Sequence, residues 1–320
     1  MSGLVPTALA CPGQGAQRLG MGVDVAAAHP AAAEVFRRAS GVLGLDLLGT
    51  CRDGPESELV RTDLQQPAIL AVGAAVVAAL RAGGALPEGR LVCAFGLSLG
   101  EFTALHVAGV LGLEDAVALV RERGLGMQEA SERVPSGMTA LPVEQAVAED
   151  LCAQARAATG GTCSVANLNA PGQVVISGDV PSLERAEALA KERGVRRATR
   201  LPVAGAFHSA LMRPGAERLA RALERVTLRT PSMPVIPNAT ARPTRDVGEI
   251  RDALLRQVTS PVRFVECVQA AHALGARAVL EPAPGNVLCG LVRRIEPSLE
   301  TLPATNAEAV AALLAPGARP

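Results

Sequence analysis

A serine between two glycines, in the sequence Gly-Leu-Ser-Leu-Gly at residues 96–100, has a spacing that can support nucleophilic chemistry. The pattern G-x-S-x-G is typical of a nucleophile elbow, a sharp turn between a strand and a helix. Glycine is expected at both flanking positions because side chains there would collide with neighbouring backbone. The backbone N–H groups at the start of such a helix favour negative charge, so the Leu99 amide is a candidate oxyanion donor. The alternative is that Ser98 only caps its helix.

A serine nucleophile needs a base, and the sequence has four histidines, at positions 29, 106, 208 and 272. His106 lies two turns along the helix of Ser98, about 12 Å away by helical rise, which is too far. His29 has polar surroundings, and His272 lies in an amphipathic helix and is expected at or near the surface. His208 stands where a predicted strand ends and a helix begins, as catalytic loop residues often do. Elimination leaves His208 as the best candidate, with a structural histidine as the alternative.

A second turn of small residues, Pro-Gly-Gln-Gly-Ala-Gln at residues 12–17, follows a predicted strand. Its backbone can provide a second oxyanion donor. The turn does not fit the dinucleotide-binding pattern G-x-G-x-x-G, because Arg18 stands where the third glycine is required. An α/β-hydrolase would also carry an HGGG-like loop before its serine, and the sequence has none.

The composition argues against several classes of function. The formal net charge is zero, and no Lys/Arg run or set of stacking aromatic residues indicates nucleic-acid binding. The seven cysteines form no Cys/His cluster with metal-ligand spacing, so we expect small core residues in a reducing compartment and no metal. No signal peptide is evident, and the apolar stretch Leu64–Leu80 is short for a membrane span and indicates a buried helix. We therefore expect a soluble, cytoplasmic protein.

Short apolar runs alternate with longer helical patterns, which is typical of an α/β protein with a parallel sheet. Buried strands are predicted at Leu4–Ala10 and Leu91–Phe95, and Pro67 is expected near the first turn of a helix. The predicted helices span 24–43, 66–82, 98–110, 113–130, 144–157, 181–193, 209–225, 247–258 and 263–274. Strands are also predicted near 233–238 and at 276–284.

From residue 136 to 202 the pattern becomes strand, helix, strand, strand, helix, strand, the last strand at 196–203. This βαββαβ order is that of a ferredoxin-like subdomain. We therefore predict a large, hydrolase-like α/β domain from residues 1–134 and 204–320, with a small ferredoxin-like subdomain from residues 135–203 inserted into it.

Taken together, the sequence resembles the malonyl-CoA:acyl carrier protein transacylases and the acyltransferases of polyketide synthases. The similarity runs over nearly the whole chain, and the family's fold agrees with the one predicted above. The matching stretches, in the family's order, are PGQGAQ, QQPAIL, GLSLGEFTAL, RERGLGMQ, VANLNAPGQVVISG, GAFHSALM, LLRQVTSPVRF and EPAPGNVL.

The resemblance implies a role for each matching residue. Ser98 would be the nucleophile, and His208 the general base and acid. The family orients this histidine through a main-chain carbonyl, which here belongs to Gln257. The backbone N–H groups of Gln14 and Leu99 would form the oxyanion hole.

Arg123, in the stretch RERG, matches the arginine that pairs with the free carboxylate of malonate in this family. A guanidinium holds a carboxylate through two parallel hydrogen bonds, and a neutral acyl group would leave the buried charge unpaired. Arg123 would therefore select dicarboxylic thioesters. The alternative is an ordinary arginine on a helix surface, as Arg121 is expected to be.

The resemblance also implies an acyl pocket. Phe207 matches the position where related domains carry a bulky ring if they choose malonyl, so we predict malonyl over methylmalonyl. Met127, Asn167 and Gln66 are further candidates, with ordinary packing as the alternative for each. Leu97 replaces the histidine that the family usually has before its serine, as in some freestanding acyltransferases that serve polyketide synthases without built-in ones.

These residues predict an [acyl-carrier-protein] S-malonyltransferase for polyketide or fatty acid synthesis. We expect two partners, malonyl-CoA and an acyl carrier protein that carries the phosphopantetheine, and neither cofactor, nucleic acid nor membrane. A monomer is the default expectation. The alternatives are an acyl-thioester hydrolase of the same fold, which would release stalled acyl chains, and a non-catalytic docking module.

Overall fold

The computed structural model of the chain describes residues 5–87, 89–282 and 284–315. Its strands are β1 (Thr7–Cys11), β2 (Leu91–Gly96), β3 (Ser136–Leu141), β4 (Cys163–Ala170), β5 (Gln173–Asp179), β6 (Thr199–Arg200), β7 (Ala278–Glu281) and β8 (Glu300–Pro303). Its helices are α1 (Val23–Ala28), α2 (Pro30–Leu43), α3 (Leu47–Asp53), α4 (Glu56–Leu59), α5 (Thr62–Ala82), α6 (Gly100–Val107), α7 (Leu113–Arg133), α8 (Gln145–Thr159), α9 (Val180–Glu192), α10 (Arg213–Leu223), α11 (Val247–Gln257), α12 (Phe264–Ala273), α13 (Val287–Ile295) and α14 (Ala307–Leu314), with a short 3₁₀ helix at Ala210–Met212.

A four-stranded parallel sheet in the order β2-β1-β7-β8 forms the centre of the larger part of the protein. The side chains of β1 are all buried, as expected for a parallel strand covered on both faces by helices. Strands β1 and β2 run side by side, with Cys11 opposite Gly96 at their carboxyl ends. The turns that follow the two strands, at residues 12–17 and 97–99, therefore meet at the same edge of the sheet.

Helix α5 is the long apolar helix predicted around Leu64–Leu80. It is long and apolar enough to cross a membrane, but nearly all of its side chains are buried inside the protein, which confirms the prediction of a buried helix. The predicted start was wrong. The Leu64 and Gln65 amides already donate to the Arg61 carbonyl, so the helix begins at Thr62 and Pro67 lies inside it rather than in its first turn.

The smaller sheet is antiparallel, with the order β4-β5-β3-β6. Together with α8 and α9 it forms the predicted βαββαβ arrangement. At its edge, the Val262 amide donates to the Ala166 carbonyl at 2.8 Å, and the Leu168 amide donates to the Val262 carbonyl at 2.9 Å. This short pairing joins the small sheet to the segment between α11 and α12. The domain boundaries at 134/135 and 203/204 stay a prediction.

The structure corrects several predicted elements. The helix predicted at 24–43 is broken at His29, which has an extended backbone because the residue before a proline disfavours the helical region. The strand predicted at 196–203 is only Thr199–Arg200. No strand forms at 233–238, where Val235 makes isolated bridges, because prolines at 231, 234 and 237 remove backbone donors.

Two predicted strands extend beyond what the structure describes. Leu4, in the predicted first strand, lies outside the described residues, as does position 283 in the strand predicted at 276–284. The sequence patterns do not predict α3, α4, α13, β8 or α14. All seven cysteines are free and buried, which confirms their interpretation as core residues.

Candidate active site

Ser98 lies in the sharp turn between β2 and α6, at the carboxyl edge of the parallel sheet. Its φ of 55° is in the left-handed region, which costs a non-glycine residue about 1–2 kcal/mol. The predicted need for the two glycines is confirmed: a Cβ on Gly96 would overlap the Gly100 backbone, and one on Gly100 would overlap the carbonyl of Cys11. The two glycines allow the turn to pack directly against the end of β1.

The structure brings Ser98 and His208 together, although they are 110 residues apart. The Ser98 Oγ lies 2.8 Å from Nε2 of His208. Nδ1 of His208 lies 2.8 Å from the main-chain carbonyl oxygen of Gln257. A carbonyl can only accept, so Nδ1 carries the proton and Nε2 is free to accept the hydroxyl proton of Ser98. The serine side chain does not cap α6. This geometry favours a nucleophile and base over the helix cap.

The imidazole of His208 is buried and neutral at physiological pH. Burial, followed by the positive charge of Arg123, lowers the pKa of His208 to about 4. A neutral imidazole with a free Nε2 is the form that a general base requires. His208 has a φ of 62°, so both members of the pair have a backbone conformation that non-glycine residues seldom adopt. Such strain clusters at functional sites.

Arg123, on α7, is fully buried and touches the same pair. Its Nη2 donates to Ser98 Oγ at 2.9 Å and to Oε1 of Gln257 at 3.1 Å, and its Nη1 donates to Oε1 of Gln66 at 2.8 Å. The guanidinium carbon lies 5.7 Å from the ring centroid of Phe102. Burial lowers the pKa of Arg123 to about 10, so it stays charged at neutral pH. The alternative of a surface arginine is wrong.

Beneath these groups lies a second layer of buried polar side chains. Glu101 Oε2 accepts from the Asn238 amide and from Nε2 of Gln257, both at 2.8 Å. Asn238 in turn accepts from the Ser98 amide at 2.7 Å and donates to the Gly96 carbonyl at 2.6 Å, so it bridges the two sides of the serine turn. Sequence reasoning missed Glu101 and Asn238. A carboxylate among the mostly apolar residues of α6 was the available signal for Glu101.

The two predicted oxyanion donors flank the serine. The Leu99 amide follows Ser98 directly, and the turn that holds Gln14 packs against it, with Leu97 donating its amide to the Cys11 carbonyl at 2.9 Å. Within the described ranges, neither the Gln14 nor the Leu99 amide donates a hydrogen bond to the protein. Both are therefore free for an external oxygen, and their role as an oxyanion hole stays a prediction.

Known proteins of similar sequence identify the family of this chain. The acyl transferase domain family matches residues 9–316. The chain belongs to this family. A malonyl CoA-acyl carrier protein transacylase of Salmonella typhimurium is 40% identical over 306 residues, which cover 95% of this chain and 96% of that protein. The resemblance to malonyl-CoA:acyl carrier protein transacylases that the eight sequence stretches indicated is thereby confirmed.

Solved structures of such acyltransferases have the same fold. The malonyl-CoA:acyl carrier protein transacylase of Xanthomonas oryzae pv. oryzae superposes with a TM-score of 0.91 at 40% identity and covers 98% of both chains. A malonyl-transacylase solved with its type II polyketide synthase acyl carrier protein gives a TM-score of 0.91 at 37% identity, covering 97% of this chain and 99% of that one. The predicted α/β fold with its parallel sheet is confirmed.

Three of the residues predicted for the acyl pocket of this acyltransferase lie close to its buried cluster. Gln66 contacts Arg123 directly, and its Nε2 lies 3.7 Å from Sδ of Met127, which is fully buried. Phe207 is buried and immediately precedes His208. For these residues the pocket role is compatible with their positions and stays a prediction.

The other two pocket candidates are Asn167, in the small sheet, and Leu97, which directly precedes Ser98. Asn167 is buried in β4, opposite Val262 at the edge of the small sheet. Leu97 is half-buried and packs against the apolar cluster that contains Phe95. Among the contacts between described residues, neither side chain bonds to Ser98, and both roles stay predictions.

The remaining histidines lie outside the site. Nδ1 of His106 lies 3.1 Å from the Leu111 carbonyl oxygen, and burial lowers the pKa of His106. His272 is half-buried and pairs with Glu296 at 3.0 Å. His29 marks the break between α1 and α2. No group of three or more metal-ligating side chains comes together in the part of the chain that the structure describes.

Proposed function

We propose that the protein transfers a malonyl group from malonyl-CoA to the phosphopantetheine thiol of an acyl carrier protein, through an ester on Ser98. The observation that carries the proposal is the contact between Arg123 and the Ser98–His208 pair. It places a buried cation, which can hold a carboxylate, beside a serine that has its base in place. The malonyl transacylases of similar sequence and fold support the same reaction.

In the first half-reaction, the Ser98 Oγ attacks the thioester carbonyl carbon while Nε2 of His208 takes its proton. The negative charge on the carbonyl oxygen is stabilised by the amides of Gln14 and Leu99. The tetrahedral intermediate then collapses, the C–S bond breaks, and His208 gives the proton to the departing CoA sulfur. The product is a malonyl ester on the serine.

The second half-reaction reverses these roles with a different thiol. His208 takes the proton of the phosphopantetheine thiol, and the sulfur attacks the ester carbonyl. The proton returns to Oγ of Ser98 as the C–O bond breaks, so the free hydroxyl is regenerated. A cavity of 260 Å³ opens onto His208 between α8, β4 and the 259–261 segment, and we assign it as a route for the thioester arm.

Arg123 favours malonyl transfer over the two alternatives. An editing hydrolase for neutral acyl chains would gain nothing from a buried cation, which costs free energy unless a partner with negative charge compensates it. A non-catalytic docking module would not need a neutral His208 aligned at 2.8 Å on a strained serine. Neither the hydrolase nor the docking module is favoured.

Several finer features belong to the same proposal. An acyl carrier protein is the expected partner, as in the solved transacylase–carrier complex. We expect malonyl over methylmalonyl because of Phe207, a cytoplasmic monomer without cofactor, and a place in polyketide or fatty acid synthesis. A freestanding enzyme that acts in trans on a polyketide synthase is consistent with Leu97.

Intact mass spectrometry tests the reaction directly. Incubation with malonyl-CoA is expected to add one malonyl group to the protein, and addition of phosphopantetheinylated carrier protein is expected to remove it and acylate the carrier. Ser98→Ala should show no adduct. Ser177→Ala is the matched control, because Ser177 is also buried but lies in β5, and its Oγ has no hydrogen-bond partner among the described residues. An adduct on Ser98→Ala, or none on the parent protein, would contradict the proposal.

A further inference from the structure

Glu101 is a buried carboxylate in the first turn of α6 that no step of the transfer uses. Its side chain is only 3% exposed and lies three residues after Ser98 in the sequence. Oε2 accepts two hydrogen bonds, and Oε1 has no partner among the described residues. A buried carboxylate with one unpaired oxygen is destabilising, because that oxygen loses its hydrogen bonds to water without a replacement. An apolar side chain would avoid this penalty, so the carboxylate calls for a functional explanation.

The two donors to Glu101 lead to the two halves of the active site. The first donor, the Asn238 amide, belongs to the residue whose side chain spans the serine turn through the Ser98 amide and the Gly96 carbonyl. Glu101 therefore holds the backbone segment that fixes the orientation of the nucleophile.

The second donor, Nε2 of Gln257, belongs to the residue that orients the other groups. Its carbonyl oxygen accepts from His208, and its Oε1 accepts from Arg123 at 3.1 Å. The same Nε2 also donates to the Ser98 carbonyl at 3.0 Å. With Nε2 held by Glu101, the amide cannot rotate and must present Oε1 to the guanidinium.

We propose, on the basis of the malonyl-transfer function above, that Glu101 is a positioning residue that fixes Asn238 and Gln257 and thereby sets the mutual geometry of Ser98, His208 and Arg123. The carboxylate touches none of the reacting atoms. Its Oε2 accepts hydrogen bonds from two segments that are far apart in the sequence, at residues 238 and 257. These bonds hold both segments against the first turn of α6.

Charge near Glu101 is consistent with this role. Arg123 on α7 is a cation that faces it, and the charge of Glu101 also acts on the thiol of Cys267 on α12. Burial raises the pKa of Glu101 to about 7, while the hydrogen bonds from Asn238 and Gln257 and the charge of Arg123 act in the opposite direction. Oε2 can accept both hydrogen bonds whether the group is charged or neutral, so positioning persists across neutral pH.

Three substitutions separate positioning from charge and from simple packing. Glu101→Gln keeps an oxygen that can accept both hydrogen bonds but removes the charge. Glu101→Asp keeps the charge but retracts the carboxylate by one methylene group, and Glu101→Ala removes the acceptor. Glu281→Gln is the matched control: Glu281 is also buried and accepts two amides, from Leu288 and Cys289, but it contacts none of the catalytic groups.

Two rates are measured for each folded variant. One is phosphonylation of Ser98 by an uncharged phosphonyl fluoride, which needs no carboxylate contact to Arg123. The other is formation of the malonyl-enzyme. Since small misplacements of catalytic groups cost about 10²-fold, Glu101→Ala and Glu101→Asp are expected to lower both rates by about that factor. Glu101→Gln should stay within about 10-fold of the parent, and Glu281→Gln should alter only the melting temperature.

The outcomes are distinct from those that test malonyl transfer. A parent protein that reacts with the phosphonyl fluoride but not with malonyl-CoA would refute the proposed function and leave the phosphonylation rates to test Glu101. Unchanged phosphonylation in Glu101→Ala, or Glu101→Gln as slow as Glu101→Ala, would overturn the positioning role. If Glu101→Ala does not fold, the other two variants test the positioning role. Phosphonylation that is much slower in Glu101→Asp than in Glu101→Gln supports it, and equal rates overturn it.

Discussion

Nη2 of Arg123 donates a hydrogen bond to Oγ of Ser98 at 2.9 Å, so the cation and the nucleophile are in direct contact. The guanidinium also lies against two amide oxygens, and no acidic side chain of the described residues forms an ion pair with it. A substrate carboxylate that binds Arg123, as proposed above, would therefore lie close to the attacking Oγ. This contact would link recognition of the carboxylate to the attack by Ser98 within a single hydrogen-bond length.

Replacing Arg123 tests this link. Arg123→Ala is expected to lower the second-order rate constant for acylation by malonyl-CoA by about 10²–10³-fold, because loss of one partner of a buried charged pair costs about 2–5 kcal/mol. Acylation by acetyl-CoA should fall by less than about 10-fold. Stopped-flow or quenched-flow acylation with both thioesters measures the ratio.

Arg121→Ala is the control for that experiment. Arg121 is on the same helix, but it is only half-buried and donates to the carbonyl of Leu43, away from the serine. It should leave both acylation rates near those of the parent. Equal losses for malonyl and acetyl in Arg123→Ala would show that the arginine supports the site without reading the carboxylate.

The same contact limits the length of the acyl chain. If a carboxylate is to bind the guanidinium while the carbonyl carbon meets Ser98 Oγ, only a short spacer fits between them. Malonyl has one methylene group there and succinyl has two. We expect succinyl-CoA to acylate the serine at least about 10²-fold more slowly than malonyl-CoA, because a misplaced reacting atom costs about that factor.

Competition of the two thioesters for one enzyme sample, read by intact mass, checks the chain-length prediction. Arg123→Ala provides the internal control, because loss of the guanidinium should bring the succinyl and malonyl rates together. Equal rates for the two thioesters in the parent protein would mean that the carboxylate is held elsewhere.

The serine turn could be predicted from the sequence because its constraints are local. The spacing of Gly96, Ser98 and Gly100 encodes the sharp turn, and the structure shows the backbone overlap that excludes any other residue at the glycines. Arg123 differs, because nothing local distinguishes it from Arg121 two residues earlier. Only the family resemblance indicated which of the two faces inward.

The roles of Glu101 and Asn238, which lie behind the catalytic groups, could not be predicted from local sequence. Glu101 meets the Asn238 amide across 137 residues and the Gln257 side chain across 156 residues, so no window of sequence contains the interaction. Asn238 follows a segment in which prolines prevent a regular strand, so periodicity gave no signal there either. Long-range hydrogen bonds of this kind depend on the completed fold.

The pH dependence of serine reactivity follows from the buried imidazole. The pKa of His208 is lowered to about 4 from the usual 6.5, so the neutral base persists well below neutral pH. Phosphonylation of Ser98 by an uncharged reagent should therefore hold its rate from pH 8 to about pH 5 and fall only towards pH 4. The same shift makes the folded protein progressively less stable as the pH falls from 6.5 towards 4, because the unfolded chain binds the proton more readily.

Two controls separate His208 from its neighbours in that experiment. Circular dichroism at each pH excludes acid unfolding, and Glu101→Gln removes the carboxyl group whose pKa is raised to about 7. A change in the phosphonylation rate near pH 7 that disappears in Glu101→Gln comes from Glu101. The fall in rate near pH 4 should remain in that variant. A rate that has halved by pH 6.5 in both proteins would mean that the imidazole titrates as in water, and that the buried, carbonyl-bonded base of this site does not exist in solution.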